Sequence, residues 1–164
     1  MNGFLKINLA SQRDLIDVFT LSNDDIVRHN SFNSNKIELN SHKVWFCKKI
    51  NDENSLFFII RTIDDIFVGY VRFDREYGDE PLKSYTITIH LAQAFRCKGF
   101  GTKLIMDTSN TVIDQYGSKK IYAYVKKENG ASLKSFVKAG YSLIGPDVIK
   151  GFDCVKLIYE KNDE

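Results

Sequence analysis

Along the chain the spacing of apolar positions changes period several times, and each change marks an element. Leu5, Ile7 and Leu9 alternate within Phe4 to Leu9 and predict a first strand. Ser11 followed by Asp14 has the form of a capping box, after which Leu15, Ile16, Val18 and Phe19 recur at helical spacing. Asn23-Asp24-Asp25 interrupts that helix. Residues 26–38 are polar and Asn-rich, with Ile26, Val27 and Phe32 as isolated anchors, and no element is assigned there. A second helix is predicted from Ser41 to Ile50, capped by Asn40 or Ser41, with Val44, Trp45 and Ile50 as its apolar positions. Leu56 to Thr62 and Ile66 to Phe73 predict paired strands turning at Asp64-Asp65.

The clearest strand is Leu82 to Leu91, with Tyr85, Ile87, Ile89 and Leu91 on one side and Ser84, Thr86, Thr88 and His90 on the other. A Gly-rich turn leads into a helix from Lys98 to Tyr116, with Phe100, Leu104, Ile105, Thr108, Val112, Ile113 and Tyr116 on its apolar face and Gly117 past its end. Ile121 to Val125 is a strand. Asn129 to Lys138 is a short helix, with Leu133, Phe136 and Val137 inward and Gly140 beyond it. Tyr141 to Ile144 and Phe152 to Tyr159 complete the series, joined around Gly145-Pro146. Helices are interspersed among strands and a strand-helix-strand crossover spans residues 82–125. The pattern implies an α/β fold with a mixed sheet and helices on both faces.

Composition narrows the class. The 164 residues suit one domain, and 12 Phe with 8 Tyr bury enough surface to exclude a disordered chain. Two Pro and ten Gly exclude collagen-like and linker-like classes. A net charge of +2 leaves no electrostatic footprint for nucleic acid. The longest apolar run, Leu56 to Ile60, is far short of the roughly 20 residues of a membrane helix. No basic segment precedes an apolar one at the start. Cys47, Cys97 and Cys154 are isolated from one another and from the histidines, which argues against zinc, or any metal, and against disulfides. The expectation is a reduced, cytoplasmic protein.

The stretch Leu91 to Leu104 carries chemistry. A strand runs into Arg96-Cys97-Lys98-Gly99-Phe100-Gly101-Thr102, and a helix begins within that run. Glycines at a helix start let unpaired amides approach an anion, and the helix dipole favours negative charge there. Arg96, Lys98 and Lys103 add charge. The Walker loop is excluded because the chain has no Gly-Lys pair, and the dinucleotide turn because Leu104 stands where its third Gly belongs.

Arg96-x-x-Gly99-x-Gly101 after a strand resembles the Gln/Arg-x-x-Gly-x-Gly/Ala signature of the GNAT superfamily of acetyl-CoA-dependent N-acetyltransferases. Asn129, Ser132, Leu133, Phe136, Gly140 and Tyr141 resemble its second signature, and the element order matches its fold. The resemblance implies that Ile89, His90 and Leu91 line a gap taking the pantetheine arm, and that the amides of residues 97–102 (Cys97, Lys98, Gly99, Phe100, Gly101 and Thr102) hold the pyrophosphate. It places Asn129 and Ser132 on the coenzyme and Phe136 near the thioester sulfur. The catalytic expectation is direct attack by a neutral amine, with an amide near Leu91 polarising the carbonyl. Two positions depart from the family. Phe136 replaces a Tyr acid, leaving Ser132 or water to serve, and Thr86 replaces a frequent carboxylate. His90 is then the titratable group of suitable pKa on that strand, either as base or as a hydrogen-bonded strand residue.

The string Val27-Arg28-x-Asn30-Ser31-Phe32-Asn33-Ser34, followed by His42-x-x-Trp45-Phe46, resembles GNAT enzymes of nonulosonic (pseudaminic or legionaminic) acid pathways. These acetylate the 4-amino group of a nucleotide-linked aminodeoxy sugar. That resemblance implies acceptor contacts from Arg28 (to a diphosphate), Asn30, Phe32, Asn33, His42, Trp45, Phe46 and Tyr85. Core packing is the other reading of Trp45 and Phe46. Other acceptors (a protein N-terminus, a polyamine, an antibiotic) and a non-catalytic coenzyme A-binding module remain open, as does a monomer or homodimer.

Overall fold

The computed structural model describes residues 4–78 and 83–160, so the predicted strand start at Leu82 lies outside the described residues. The strands are β1 (Leu5–Leu9), β2 (Ser55–Thr62), β3 (Phe67–Glu76), β4 (Ser84–Leu91), β5 (Lys120–Lys126), β6 (Ser142–Ile149) and β7 (Phe152–Tyr159). The helices are α1 (Leu15–Ser22), α2 (Asp25–Asn30), α3 (Leu39–Ile50), α4 (Phe100–Tyr116) and α5 (Gly130–Lys138). The seven strands form one sheet in the order β1-β2-β3-β4-β5-β7-β6. Only β4 and β5 pair in parallel, across the α4 crossover; the other pairs are antiparallel.

The uninterrupted apolar run of β2 is explained by cover on both faces. Phe58 and Ile60 join Val71, Phe73 and Ile87 beneath Leu104, Ile105 and Val112 of α4. Phe57 and Ile59 pack with Tyr70 against Val18, Leu21, Val27 and Phe46 of α1 to α3. Arg61 at the end of β2 is paired with Asp14 (2.9 Å) and Asp17 (2.6 Å), and the Ser11 N–H donates to the Asp14 carboxylate at 2.9 Å. The capping box therefore also fastens the first helix to the sheet.

Several predicted details change. Asp24 accepts from the Ile26 and Val27 N–H groups and opens α2, an extra helix where no element was assigned. In α3 the buried face is set by His42 and Phe46, four residues apart, so Val44 is 73% exposed. Val137 is likewise exposed on α5, while Phe136 faces inward. The last hairpin turns at Lys150-Gly151, both with positive φ (49° and 81°), as a tight two-residue turn requires. Gly145-Pro146 instead lies inside β6, beside a register shift, where an edge strand tolerates a residue without an N–H.

Two features of β4 shape the site. Its pairing with β5 is registered only from Ser84↔Lys120 to Thr86↔Tyr122, so the strands separate beyond Thr86. On the other side β3 comes unusually close at Gly69, where a Cβ would lie 2.2 Å from the His90 carbonyl oxygen. Gly69 has φ +155° and leaves no room for a side chain.

Candidate active site

Backbone polarity along β4 follows from one hydrogen bond. The Ala92 N–H donates to Val68 O at 2.8 Å, which directs the even-numbered residues of β4 toward β3. Antiparallel alternation then turns the main-chain groups of Ile87, Ile89 and Leu91 toward the gap that β5 has vacated. The Leu91 carbonyl accepts from Arg96 Nε at 2.8 Å, so the strand end is held in place while the Leu91 N–H faces the gap.

The turn after β4 presents main-chain donors. Cys97 (φ 58°) and Gly99 (φ 82°) both take left-handed conformations, and Gly99 caps α4. The Lys103 N–H returns to Gly99 O at 3.3 Å, so the N–H groups of Phe100, Gly101 and Thr102 precede any intrahelical acceptor. A Cβ at Gly101 would meet only ordinary contacts with Leu91 and Ser135. The cations differ from expectation. Arg96 is 19% exposed and ion-paired to Asp24 at 2.9 Å, so it fixes the turn to α2 and is not a free phosphate ligand. Lys103 pairs with Asp107 at 2.7 Å. Lys98 is exposed and has no carboxylate partner among the described residues.

Between β4, β5, α5 and the α2–α3 region lies a cavity of about 510 Å³. It brings together Ile89, His90, Asn129, Ser132 and Phe136 with Arg28, Asn30, Phe32, His42 and Trp45. The Asn129 side-chain oxygen accepts from the Ser132 N–H at 3.2 Å and starts α5. Phe136 stacks edge-on against Tyr141, whose hydroxyl bonds Ser109. Phe136 thus occupies its wall without a proton to donate.

Other expected site residues fall elsewhere. Tyr85 is 3% exposed within the core beneath α4, because its side of β4 faces that helix. Phe46 is fully buried in the cluster under α3. Asn33 forms the loop itself: its side-chain oxygen accepts from Asn35 N–H and its carbonyl from Arg28. Arg28 reaches the cavity wall with most of its donors committed to Ser22 O, Asn33 O, Asn35 O and Ser31 Oγ. A full guanidinium face for a diphosphate is therefore not on offer.

The His90 Nδ1 lies 2.6 Å from Tyr70 Oη, which contacts Ser22 Oγ at 3.2 Å. Burial, then the charges of Arg72, Arg28 and Arg96, pull its pKa down to about 3. Such an imidazole is neutral at physiological pH and too weakly basic to take a proton from an alkylammonium. On its strand the ring is held by the hydrogen bond to Tyr70.

His42 is 2% exposed, and its ring sits among Phe19, Trp45 and Phe46. Burial, followed by the charge of Arg28, lowers its pKa. Its Nε2 is buried with no partner among the described residues, on a side chain that lines the cavity. A buried polar atom left unpaired is costly, and a ligand hydroxyl would satisfy it.

Tyr70, Arg72 and Lys126 also line the cavity and carry no motif in the sequence. Arg72 pairs with Asp74 at 2.7 Å and lies over the Trp45 ring. Antiparallel register places Tyr70 opposite His90, a pairing the two strand patterns contain once their alignment is known. Lys126 sits at the open end of β5, and nothing in its local sequence separates it from the exposed Lys127.

The model of the Acetyltransferase (GNAT) family matches residues 21–141. A curated N-alpha-acetyltransferase of Saccharolobus solfataricus is 24% identical over 145 residues, covering 82% of this chain and 85% of that protein. Spermidine N-acetyltransferase from Vibrio cholerae, solved with CoA and spermine, superposes with a TM-score of 0.84 at 18% identity over 95% of each chain. An aminoglycoside acetyltransferase solved with coenzyme A gives 0.81 at 16% identity, over 96% of this chain and 95% of its own.

Proposed function

The chain belongs to the acetyltransferase (GNAT) family and is an N-acetyltransferase, and from that premise we propose that it acetylates the primary amine of an anionic acceptor. The acceptor class favoured is a nucleotide-linked aminodeoxy sugar, acetylated at its 4-amino group. One observation carries this reading. Among the described residues lining the cavity are the basic side chains of Arg28, Arg72 and Lys126, and none is Asp or Glu. Asn30, Ser31, Ser41 and His42 add groups suited to sugar hydroxyls.

The donor side fits acetyl-CoA. The β4–β5 gap offers the strand edge of Ile87, Ile89 and Leu91 to a pantetheine arm, and the α4 start offers amides and Lys98 to a pyrophosphate. Bound there, acetyl-CoA supplies an activated acyl group. The Leu91 N–H, facing the gap, would serve as the donor to the carbonyl oxygen, and Asn129 and Ser132 line the adjoining cavity. Among the described residues no lining carboxylate is present to deprotonate an ammonium, and the three basic side chains favour the neutral form of a bound amine. Phe136 gives no proton to the departing thiolate, a tolerable leaving group with pKa about 8.5.

A polyamine or an aminoglycoside would bring positive charge to this wall, so the likeness to those enzymes is one of fold. A second reading, transfer to a protein N-terminal amine, is favoured by the archaeal relative. One experiment tests all of these. Thiol release and product mass are measured with nucleotide-linked amino sugars, the corresponding free amino sugars, spermidine, an aminoglycoside and N-terminal peptides. Turnover confined to the phosphate-bearing sugars is expected. Turnover of spermidine or peptides alone overturns the reading, and coenzyme A binding with no turnover of any amine indicates the non-catalytic module.

A further inference from the structure

We infer that Lys126, assisted by Arg28, forms a phosphate-binding subsite on the acceptor wall of the cavity. The inference rests on the anionic-acceptor reading and names the residue that would enforce it. Lys126 is 3% exposed yet lines the cavity. Its ammonium donates to His29 O at 2.6 Å and lies 3.8 Å from the centre of the Phe152 ring. It has no carboxylate partner among the described residues, and two of its three N–H donors have no acceptor there. Arg28 likewise has no carboxylate partner among the described residues, although most of its donors are taken by carbonyls and a hydroxyl. Arg72, by contrast, has Asp74.

Buried cations are normally paired, because the desolvation cost of a charge is recovered only by an opposite charge or a full set of hydrogen bonds. A carbonyl and an aromatic face contact the Lys126 amino group without supplying an opposite charge. The missing element is an anion with several acceptor oxygens, which a phosphate supplies. Lys126 grips the last turn of α2 through His29 O, and Arg28 grips the segment after it through Asn33 and Asn35 O. An anion there would sit beside the segment that carries Asn30, Ser31 and Phe32.

The test uses the full chain saturated with coenzyme A, so that the pyrophosphate position at α4 is already filled. Inorganic pyrophosphate is titrated calorimetrically into wild type, Lys126→Gln and Lys126→Arg. Wild type is expected to bind, Lys126→Gln at least about tenfold more weakly, and Lys126→Arg within about threefold of wild type. Glutamine retains a donor for His29 O, and equal thermal midpoints of wild type and Lys126→Gln check that the tether survives. Absence of binding to wild type, or equal binding by Lys126→Gln, overturns the inference. So does tighter binding of malonate than of pyrophosphate, which would replace phosphate with carboxylate. Pyrophosphate binding that depends on Lys126, in an enzyme that turns over no sugar nucleotide, would sink the substrate assignment alone and leave this subsite standing.

Discussion

At the β4–β5 gap and the start of α4 the chemistry is main chain; where the cavity meets α2, α3 and the end of β5 it is side chain. The donor side is a strand edge, a left-handed glycine and three free amides. The proposed acceptor side is Arg28, His42 and Lys126, each brought in by a separate element, with Lys126 held across 97 residues of sequence. A main-chain site tolerates change in most side chains but not in its glycines. A side-chain site keeps its backbone and changes its ligand with single substitutions.

The largest effect should come from the junction of the two sides. Gly69→Ala puts a Cβ 2.2 Å from a backbone oxygen, and main chain cannot swing aside as a side chain does. A loss of roughly 3 kcal/mol is expected in urea denaturation, with both substrates bound poorly in whatever remains folded. Retained stability and activity would show that β3 and β4 can part freely. Next, Gly101→Glu should weaken acetyl-CoA binding at least about 100-fold while leaving the thermal midpoint within a few degrees. The position has room for a side chain, and the carboxylate would occupy the phosphate position. An unchanged affinity would mean that the α4 amides do not hold the donor.

Asp24→Ala crosses the divide. It removes the cap of α2 and the partner of Arg96, and should cost about 1 kcal/mol of stability. A several-fold rise in acetyl-CoA KM should accompany that loss, read from steady-state kinetics. A purely acceptor-side defect would show the halves to be independent. The smallest effect concerns His90. Its native pKa is about 3 against an ordinary 6.5, so the unfolded chain binds its proton first on acidification. The stability it confers is complete above about pH 6.5 and declines as pH falls toward 3. His90→Gln should flatten that part of a thermal-midpoint profile, and its rate relative to wild type should be constant between about pH 6 and 9. A ratio that changed with pH would return His90 to proton transfer.

What the sequence revealed follows the same division. The structural places of Gly99, Gly101, Asn129 and Phe136 were legible because helix starts and an amphipathic helix have fixed spacing requirements. The sheet was legible because alternation and glycine position its strands, although Gly145-Pro146 was mistaken for the turn that Lys150-Gly151 makes. Tyr85 and Phe46 were misplaced because an aromatic at an inward position reads the same whether it meets a ligand or another helix. Arg96 and Arg28 were read as free charges because their partners, Asp24 and a set of loop carbonyls, become neighbours only in the folded chain. Lys126 was invisible for the same reason, since His29 lies 97 residues away.

The Asp24–Arg96 pair has a practical consequence for redesign. Grafting the first three helices from a relative to swap amine preference would exchange Asp24 along with the recognition residues. A graft without a carboxylate at that position would release Arg96, and with it the carbonyl of Leu91 and the N–H of the same residue, the proposed oxyanion donor. Transplanted selectivity would then arrive with a crippled acyl-transfer step, unless the anchoring acid travels with the graft.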